Sequence, residues 1–147
     1  MDTLVFSGTR LTDLEAVLLE AGNVQRVVMR KSYADIFPGW VDRLLSRYGA
    51  ECVLLTENEP LALGTFTMCF EDKGVILMKK GWTMNCGGEA QAGSVYVVPY
   101  ASNGNLRRAK EAAEIIYAQP YAQRGLDEPV INGYNIIRHG AWVKRWP

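Results

Sequence analysis

The sequence is short of histidine, cysteine and net charge, and each shortage excludes a class of protein. Its 147 residues include one histidine and three cysteines, and 16 Lys and Arg residues balance 16 Asp and Glu residues. A chain without excess positive charge is not suited to bind nucleic acid or an anionic membrane over a broad surface. Zero net charge also removes repulsion between copies, so a homo-oligomer is one expectation.

The three cysteines, Cys52, Cys69 and Cys86, follow one another at intervals of 17 residues. Zinc sites commonly take ligands in close pairs such as C-x2-C, which this spacing does not provide. The N-terminal residues MDTLVFSGTR lack the apolar core of a secretory signal. The longest apolar run, LALGTFTMCF, has about half the length that a membrane-spanning helix needs. These features predict a cytoplasmic protein without a metal site or a membrane span.

Hydrophobic periodicity predicts alternating strands and helices in the first third of the chain. Residues 4–8 and 24–32 are typical of strands, whereas TRLTDLEAVLLEAG and FPGWVDRLLSRYG are typical of amphipathic helices. Gly22 and Gly49 are the expected helix ends, because glycine readily adopts the left-handed conformation found there. In the second helix, Trp40 is expected on the buried face with Leu44.

Beyond residue 50 the pattern favours antiparallel strands. The stretch ECVLLTENEPLALGTFTMCF is typical of a hairpin about a polar turn, GVILMKKGWTM of one further strand, and SVYVVPY of a central strand. A long helix, NLRRAKEAAEIIYAQ, is expected next, with one or two strands after Pro120. The expected fold is α+β: a single domain over residues 1–147, whose mostly antiparallel central sheet is flanked by about three helices.

The stretch VVPYASNGNLRRAKEAAEII, residues 97–116, is the part of the sequence that most indicates chemistry. It places Arg107 and Arg108 in the expected first turn of a helix, where the helix dipole disfavours cations. A bound anion would offset that cost, because the N–H groups of a helix start and a nearby glycine, here Gly104, accept a phosphate. Alternatively, Arg107 and Lys110 pair with the glutamates four residues later on a solvated helix face.

The order of these segments resembles that of the GNAT-type N-acetyltransferases. The stretch ECVLLTENEPLALGTF is similar to the early strand pair of that family, and VYVVPYASNGNLRRAKEAA is similar to its cofactor-binding unit. The resemblance spans residues 24–118. It implies a GNAT-like layered domain that transfers an acyl group from acetyl-CoA to the amine of a small molecule or a protein.

The resemblance also implies roles for individual residues. The residues expected to hold the pyrophosphate of acetyl-CoA are Asn103, Gly104, Asn105, Arg107 and Arg108. The backbone groups of Val97 and Val98 would position the thioester and polarise its carbonyl. From their placement in the chain, Glu89 is the candidate base and Tyr121 the candidate acid.

Two other functions stay open from the residues themselves. Cys86 and His139 would form a thiol nucleophile if an imidazolium lowered the pKa of the thiol. Alternatively, the four tryptophans and seven tyrosines serve a non-catalytic interaction or assembly protein, since aromatic residues and arginine are enriched at binding hot spots. On that hypothesis, Tyr121 and Trp146 hold an oligomer together.

Overall fold

The computed structural model describes residues 3–8, 10–36, 38–98 and 102–117, together with the backbone of residues 134–135. The chain divides into two compact units, Met1–Glu59 and Pro60–Pro147. Each unit contains its own β-sheet. That both units belong to one domain stays a prediction from the sequence.

The first unit alternates strands with helices around a parallel sheet. Its described elements are β1 (Thr3–Phe6), α1 (Leu11–Ala21), β2 (Arg26–Arg30), α2 (Lys31–Ile36), α3 (Trp40–Tyr48) and β3 (Glu51–Leu55). The three strands pair in the order β1-β2-β3, and both pairs are parallel. Val27 and Met29 lie on one face of β2 because side chains alternate along a strand, and they pack with Leu14 and Leu18 of α1 in a buried core.

The helix ends in this unit confirm the glycine pattern of the sequence. α1 ends at Gly22, whose φ of 72° is unfavourable for other residues. α3 ends at Gly49, which adopts the left-handed conformation and whose N–H bonds back to carbonyls of the last turn. The short helix α2 was not expected, because the sequence pattern favours a strand as far as Ser32.

The second unit is built mainly from strands in one mixed sheet. Its described elements are β4 (Leu61–Leu63), β5 (Phe66–Glu71), β6 (Gly74–Lys79), β7 (Trp82–Gly87), β8 (Val95–Val98), α4 (Asn103–Arg108), β9 (Glu114–Tyr117) and β10 (Tyr134–Asn135). The strands pair in the order β10-β9-β8-β7-β6-β5-β4. From β4 to β7 neighbouring strands are antiparallel, and from β7 to β10 they are parallel.

The α+β class is confirmed, but two expectations about the strands are wrong. β3 pairs in parallel with β2 in the first unit, whereas β4 pairs with β5 in the second, so the two do not form the expected hairpin. The stretch GVILMKKGWTM is two strands, β6 and β7, that pair across a turn at residues 80–81. In place of one mostly antiparallel sheet, the described chain has a parallel sheet and a mixed one.

The prediction of a long helix that begins at Asn105 is also wrong. α4 begins at Asn103, where the Ser102 hydroxyl accepts the N–H of Asn105 at 3.2 Å, and it ends after six residues at Arg108. Arg107 therefore lies in the last turn with Arg108, and there the helix dipole favours cations. The unfavourable placement that first indicated a bound anion does not occur.

Strand pairing is the physical reason for the early end of α4. Residues Glu114–Tyr117 form β9, which pairs in parallel with β8, and two isoleucines and a tyrosine favour such a strand. On one face of this pair, Tyr96 and Val98 pack with Leu106 of α4 in the second buried core. Among the described residues, no helix is long and apolar enough to cross a bilayer.

Candidate functional site

The segment predicted to bind a cofactor follows β8 in the second unit. Val98 is buried and Val97 is half-buried on this strand, and residues 103–105 form the first turn of α4. Arg107 is exposed on that helix. The predicted acid, Tyr121, lies outside the described residues.

Arg108 gathers three of the predicted residues into one group. Its Nη1 donates a hydrogen bond to Asn105 Oδ1 at 3.2 Å, and its Nε lies 4.0 Å from Glu89 Oε2. Its carbonyl oxygen accepts the N–H of Ala90 at 2.9 Å, which ties the loop before β8 to the end of α4. The structure thus brings Glu89, Asn105 and Arg108 together and leaves Arg107 outside the group.

Two buried polar residues beside this group were missed from the sequence. Tyr96 is fully buried and donates a hydrogen bond from its hydroxyl to the Gly88 carbonyl at 2.7 Å; burial raises its pKa to about 12. Asn85 pairs with Tyr96 in the β7–β8 register and is also fully buried. Its Oδ1 accepts the Gln91 N–H at 3.4 Å, while its Nδ2 has no partner among the described residues. Asn85 was missed because the glycine-rich stretch NCGG is typical of a loop, so no buried strand residue was expected there.

A cleft of about 200 Å³ opens beside Arg108. It is lined by Glu71, Asp72, Lys73, Gly88, Glu89 and Arg108. Three carboxylates and two cations give this cleft no clear preference for an anion, and its volume is below the roughly 300 Å³ at which ligand sites usually begin. The charge and the volume of this cleft therefore do not favour the binding of a large cofactor.

The thiol hypothesis receives no support from the surroundings of Cys86. Burial raises the pKa of this thiol, which disfavours the thiolate that a nucleophile requires. Its proposed partner, His139, lies outside the described residues. Cys86 lies on β7 as a half-buried free thiol whose surroundings favour the protonated form.

A larger groove lies between α1 and α3 in the first unit, where the sequence predicted no site. Its volume is about 550 Å³, within the range of known ligand sites. The groove is lined by Leu11, Thr12, Glu15, Trp40, Arg43, Leu44 and Arg47, and its surface is mostly apolar.

Trp40 is the residue of this groove that contradicts the sequence prediction. It was expected on the buried face of its helix, but 60% of it is exposed. The buried stripe of α3 is formed by Val41, Leu44 and Leu45, at the i, i+3, i+4 spacing, so Trp40 falls at the edge of the stripe. Hydrophobicity identified the side chain as apolar but could not fix the phase of the helix against the sheet.

Two arginines one helical turn apart flank Trp40 and Leu44. The Arg43 guanidinium carbon lies 5.3 Å from the centroid of the Trp40 ring, and Arg43 Nε donates to the Gly39 carbonyl at 3.1 Å. Arg47 Nη1 donates to Glu15 Oε1 at 3.1 Å, which links α3 to α1 across the groove. These contacts hold both guanidiniums next to apolar surface.

Exposed apolar side chains are concentrated in the first unit. In the described part of the chain, the large hydrophobic residues that are exposed all belong to it: Val17, Leu19, Ile36, Trp40 and Leu54. Scattered exposure of this kind is normal, but a groove that also holds an exposed tryptophan is typical of an interaction surface.

Comparison with known proteins identifies a fold and no family. No protein-family model matches the chain, and no curated protein matches it. Among solved structures, the chain is similar to the metallo-beta-lactamase fold protein YhfI from Bacillus subtilis, with a TM-score of 0.56 and 13% identity. The similarity covers 86% of this chain and 67% of that one. It shows the fold alone.

This fold overturns the main functional expectation. The prediction of a GNAT-type acyltransferase is contradicted, because the similar structure has a metallo-beta-lactamase fold instead of the GNAT-like layered domain. The interaction protein considered as the alternative was placed on the same GNAT-like fold, and that part is wrong as well. Acetyl-CoA binding and the roles assigned to Glu89 and Tyr121 stay predictions.

The name of the fold implies a metal ion, so the donor groups of this chain must be compared with what a metal requires. Zinc is held by cysteine, histidine, aspartate or glutamate, and the described residues contain no group of three or more of these. The polar group around Arg108 contains the neutral residue Asn105, and the buried polar residues described beside that group, Asn85 and Tyr96, are also neutral. A guanidinium repels a metal cation, and these residues do not fit one.

Proposed function

We propose that the chain is a partner-binding protein and that the groove between α1 and α3 is its binding surface. The observation that carries this proposal is the exposed ring of Trp40, which lies in the groove beneath the Arg43 guanidinium. Keeping a large apolar ring in water forgoes the free energy of burial, so a second role for it is expected. Tryptophan and arginine are also the residue types most enriched at binding hot spots.

The groove is organised before any partner arrives. Arg43 is restrained twice, by the Trp40 ring and by the Gly39 carbonyl. Leu44 is anchored in the core of the unit, so the floor of the groove is part of a packed helix. Pre-organised side chains lose less conformational entropy on binding, which favours affinity.

The size and openness of the groove favour a segment of another protein as the occupant. A volume of about 550 Å³ accommodates several anchoring side chains of a peptide. Two parallel or antiparallel helices with an apolar groove between them are a common surface for a further helix. The partner is thus expected to insert apolar side chains between Leu11 and Trp40.

A displayed library of random peptides, about four helical turns long, tests this function on the full chain. We expect peptides to be enriched on the wild-type protein but not on Trp40→Ala. Leu19→Ala is the matched control, because Leu19 is equally exposed in this unit but does not line the groove. It should enrich the same peptides as the wild type.

Two results would overturn the proposal. One is enrichment that Trp40→Ala leaves unchanged, since the groove would then not be the binding surface. The other is a wild-type dimer, seen by light scattering, that Trp40→Ala dissociates. The occupant would then be a second copy of this chain and not a different protein.

A further inference from the structure

The charges around the α1–α3 groove do not balance. Its lining carries two guanidiniums, Arg43 and Arg47, but one carboxylate, Glu15. Glu15 pairs with Arg47 at 3.1 Å. Among the described residues, no carboxylate forms an ion pair with Arg43. The apolar groove therefore has a positively charged edge, and complementary charge is what steers and orients a partner.

The ion pair between Glu15 and Arg47 does not close the groove to a second carboxylate. The Arg47 side chain is 68% exposed and that of Glu15 is 41% exposed, so water reaches both ends of the pair. Exposed ion pairs contribute little to stability because water and salt screen them. A carboxylate from a bound partner can thus replace Glu15 beside Arg47, or share the guanidinium with it.

The spacing of the two arginines fits a helix. Arg43 and Arg47 are four residues apart on α3, which corresponds to about 6 Å along the helix axis. Acidic residues one turn apart on a partner helix have the same spacing. Apolar side chains at i, i+3, i+4 and i+7 of that helix would then enter the groove beside its acidic edge.

We infer that the groove binds an acidic amphipathic helix, whose apolar face packs on Trp40 and Leu44 and whose carboxylates meet Arg43 and Arg47. The inference rests on the proposed partner-binding function and names the chemistry of the partner. Arg43 is the main determinant of charge selectivity, since Arg47 already has an intramolecular partner.

The peptides enriched on the wild-type chain test this inference through their composition. We expect apolar residues at helical spacing flanked by Asp or Glu. A synthetic peptide of this kind, and a second one with each acidic residue replaced by Lys, are then titrated against the full chain by fluorescence anisotropy. The acidic peptide should bind at least about tenfold more tightly, as expected when unlike charges replace like charges.

Variants of the groove assign the effect to individual residues. Arg43→Gln should weaken the acidic peptide by about tenfold and should tighten the lysine peptide, because a like charge has been removed. Glu15→Gln removes the intramolecular competitor of the partner and should tighten binding of the acidic peptide. Thermal melts of both variants check that the fold is intact, which is expected because Arg43 is exposed and Glu15 is half-buried.

The possible failures are distinguishable. Enriched peptides that depend on Trp40 but carry no acidic residues would overturn the inference and leave the partner-binding function standing. Equal affinity of the acidic and lysine peptides would do the same. An unchanged affinity of Glu15→Gln would overturn the role of Arg47. Peptides that do not depend on Trp40 would overturn the proposed function itself.

Discussion

The guanidinium carbon of Arg43 lies 5.3 Å from the centroid of the Trp40 ring, so a cation covers one face of an exposed tryptophan. An exposed cation–π pair contributes only about 0.5–1 kcal/mol. The pair is therefore a weak source of stability. Leu44 of the same helix differs from Trp40, because it lines the floor of the groove and is also buried in the core of the unit.

Trp40→Ala is expected to reduce the free energy of unfolding by about 1–2 kcal/mol, through loss of the cation–π pair and of the smaller, buried part of the ring. Leu44→Ala should reduce it by about 2–5 kcal/mol, because Leu44 is only 6% exposed and its removal leaves a cavity. Urea unfolding of both variants measures the difference. A loss for Trp40→Ala as large as that for Leu44→Ala would mean that the ring is structural.

The same helix shows what the sequence could and could not predict. The end of α3 at Gly49 was predictable, because a left-handed glycine is a local signal. The exposure of Trp40 was not, since it depends on which side of the helix meets the sheet. The groove was missed for this reason, as no local pattern marks it.

The second unit repeats this distinction between local and distant signals. The strand β8 was predicted from its valines, whereas β9 was assigned to a helix because the preceding residues RRAKEAAE are strong helix formers. Pairing with β8 decided the conformation of Ile116, and such a contact is not visible in local sequence. Buried Asn85 was hidden in the same way, by a glycine-rich pattern that is typical of loops.

Gly74→Ala is expected to destabilise the second unit. A Cβ atom on Gly74 would lie 2.6 Å from the Gly87 carbonyl carbon and 2.7 Å from the Gly88 nitrogen. Gly87 is the residue that pairs with Gly74 at the end of β6 and β7, and Gly88 follows it directly. Overpacking of this kind commonly costs about 1–3 kcal/mol, and more where backbone must move.

Gly104→Ala is the matched control for that substitution. Its added Cβ would meet nothing closer than 3.7 Å, the end of the Arg108 side chain. Because Gly104 lies inside α4, alanine should stabilise the helix by up to about 1 kcal/mol. Thermal unfolding of the two variants should move in opposite directions. If Gly104→Ala were the more damaging change, the description of α4 would be wrong.

Removal of metal ions is expected to leave the stability of the described part of the chain unchanged, because its residues include no group of three or more possible metal ligands. An ion present at a hundred times its dissociation constant would add about 2.7 kcal/mol, which raises the melting temperature by several degrees. Melts with and without EDTA would detect this, and elemental analysis would detect the ion. A clear drop in EDTA would direct attention to Asp127, Glu128 and His139, which lie outside the described residues.

Tyr96 is expected to make the stability of the chain fall at high pH. Burial raises the pKa of its hydroxyl to about 12, above the ordinary value of 10.0. Between these two values the unfolded chain has lost the proton while the folded chain retains it, so the free energy of unfolding decreases as the pH rises. Below pH 10 both states are protonated and the effect disappears. The full loss for two pH units is about 2.7 kcal/mol.

Tyr96→Phe isolates this effect from the other groups that titrate in alkali. The variant loses the hydrogen bond to the Gly88 carbonyl, which should cost about 1 kcal/mol at neutral pH. It keeps the three cysteines, whose pKa values are also raised by burial. Cys52 and Cys69 should contribute alike in both proteins, whereas a charged Cys86 also raises the pKa of Tyr96, so this coupling is part of the measured difference. Urea unfolding from about pH 8 to about pH 11.5 should therefore show the wild-type advantage shrinking and then reversing. Parallel curves would show that the Tyr96 hydroxyl titrates alike in the folded and unfolded chain, and that it is not held protonated by the core.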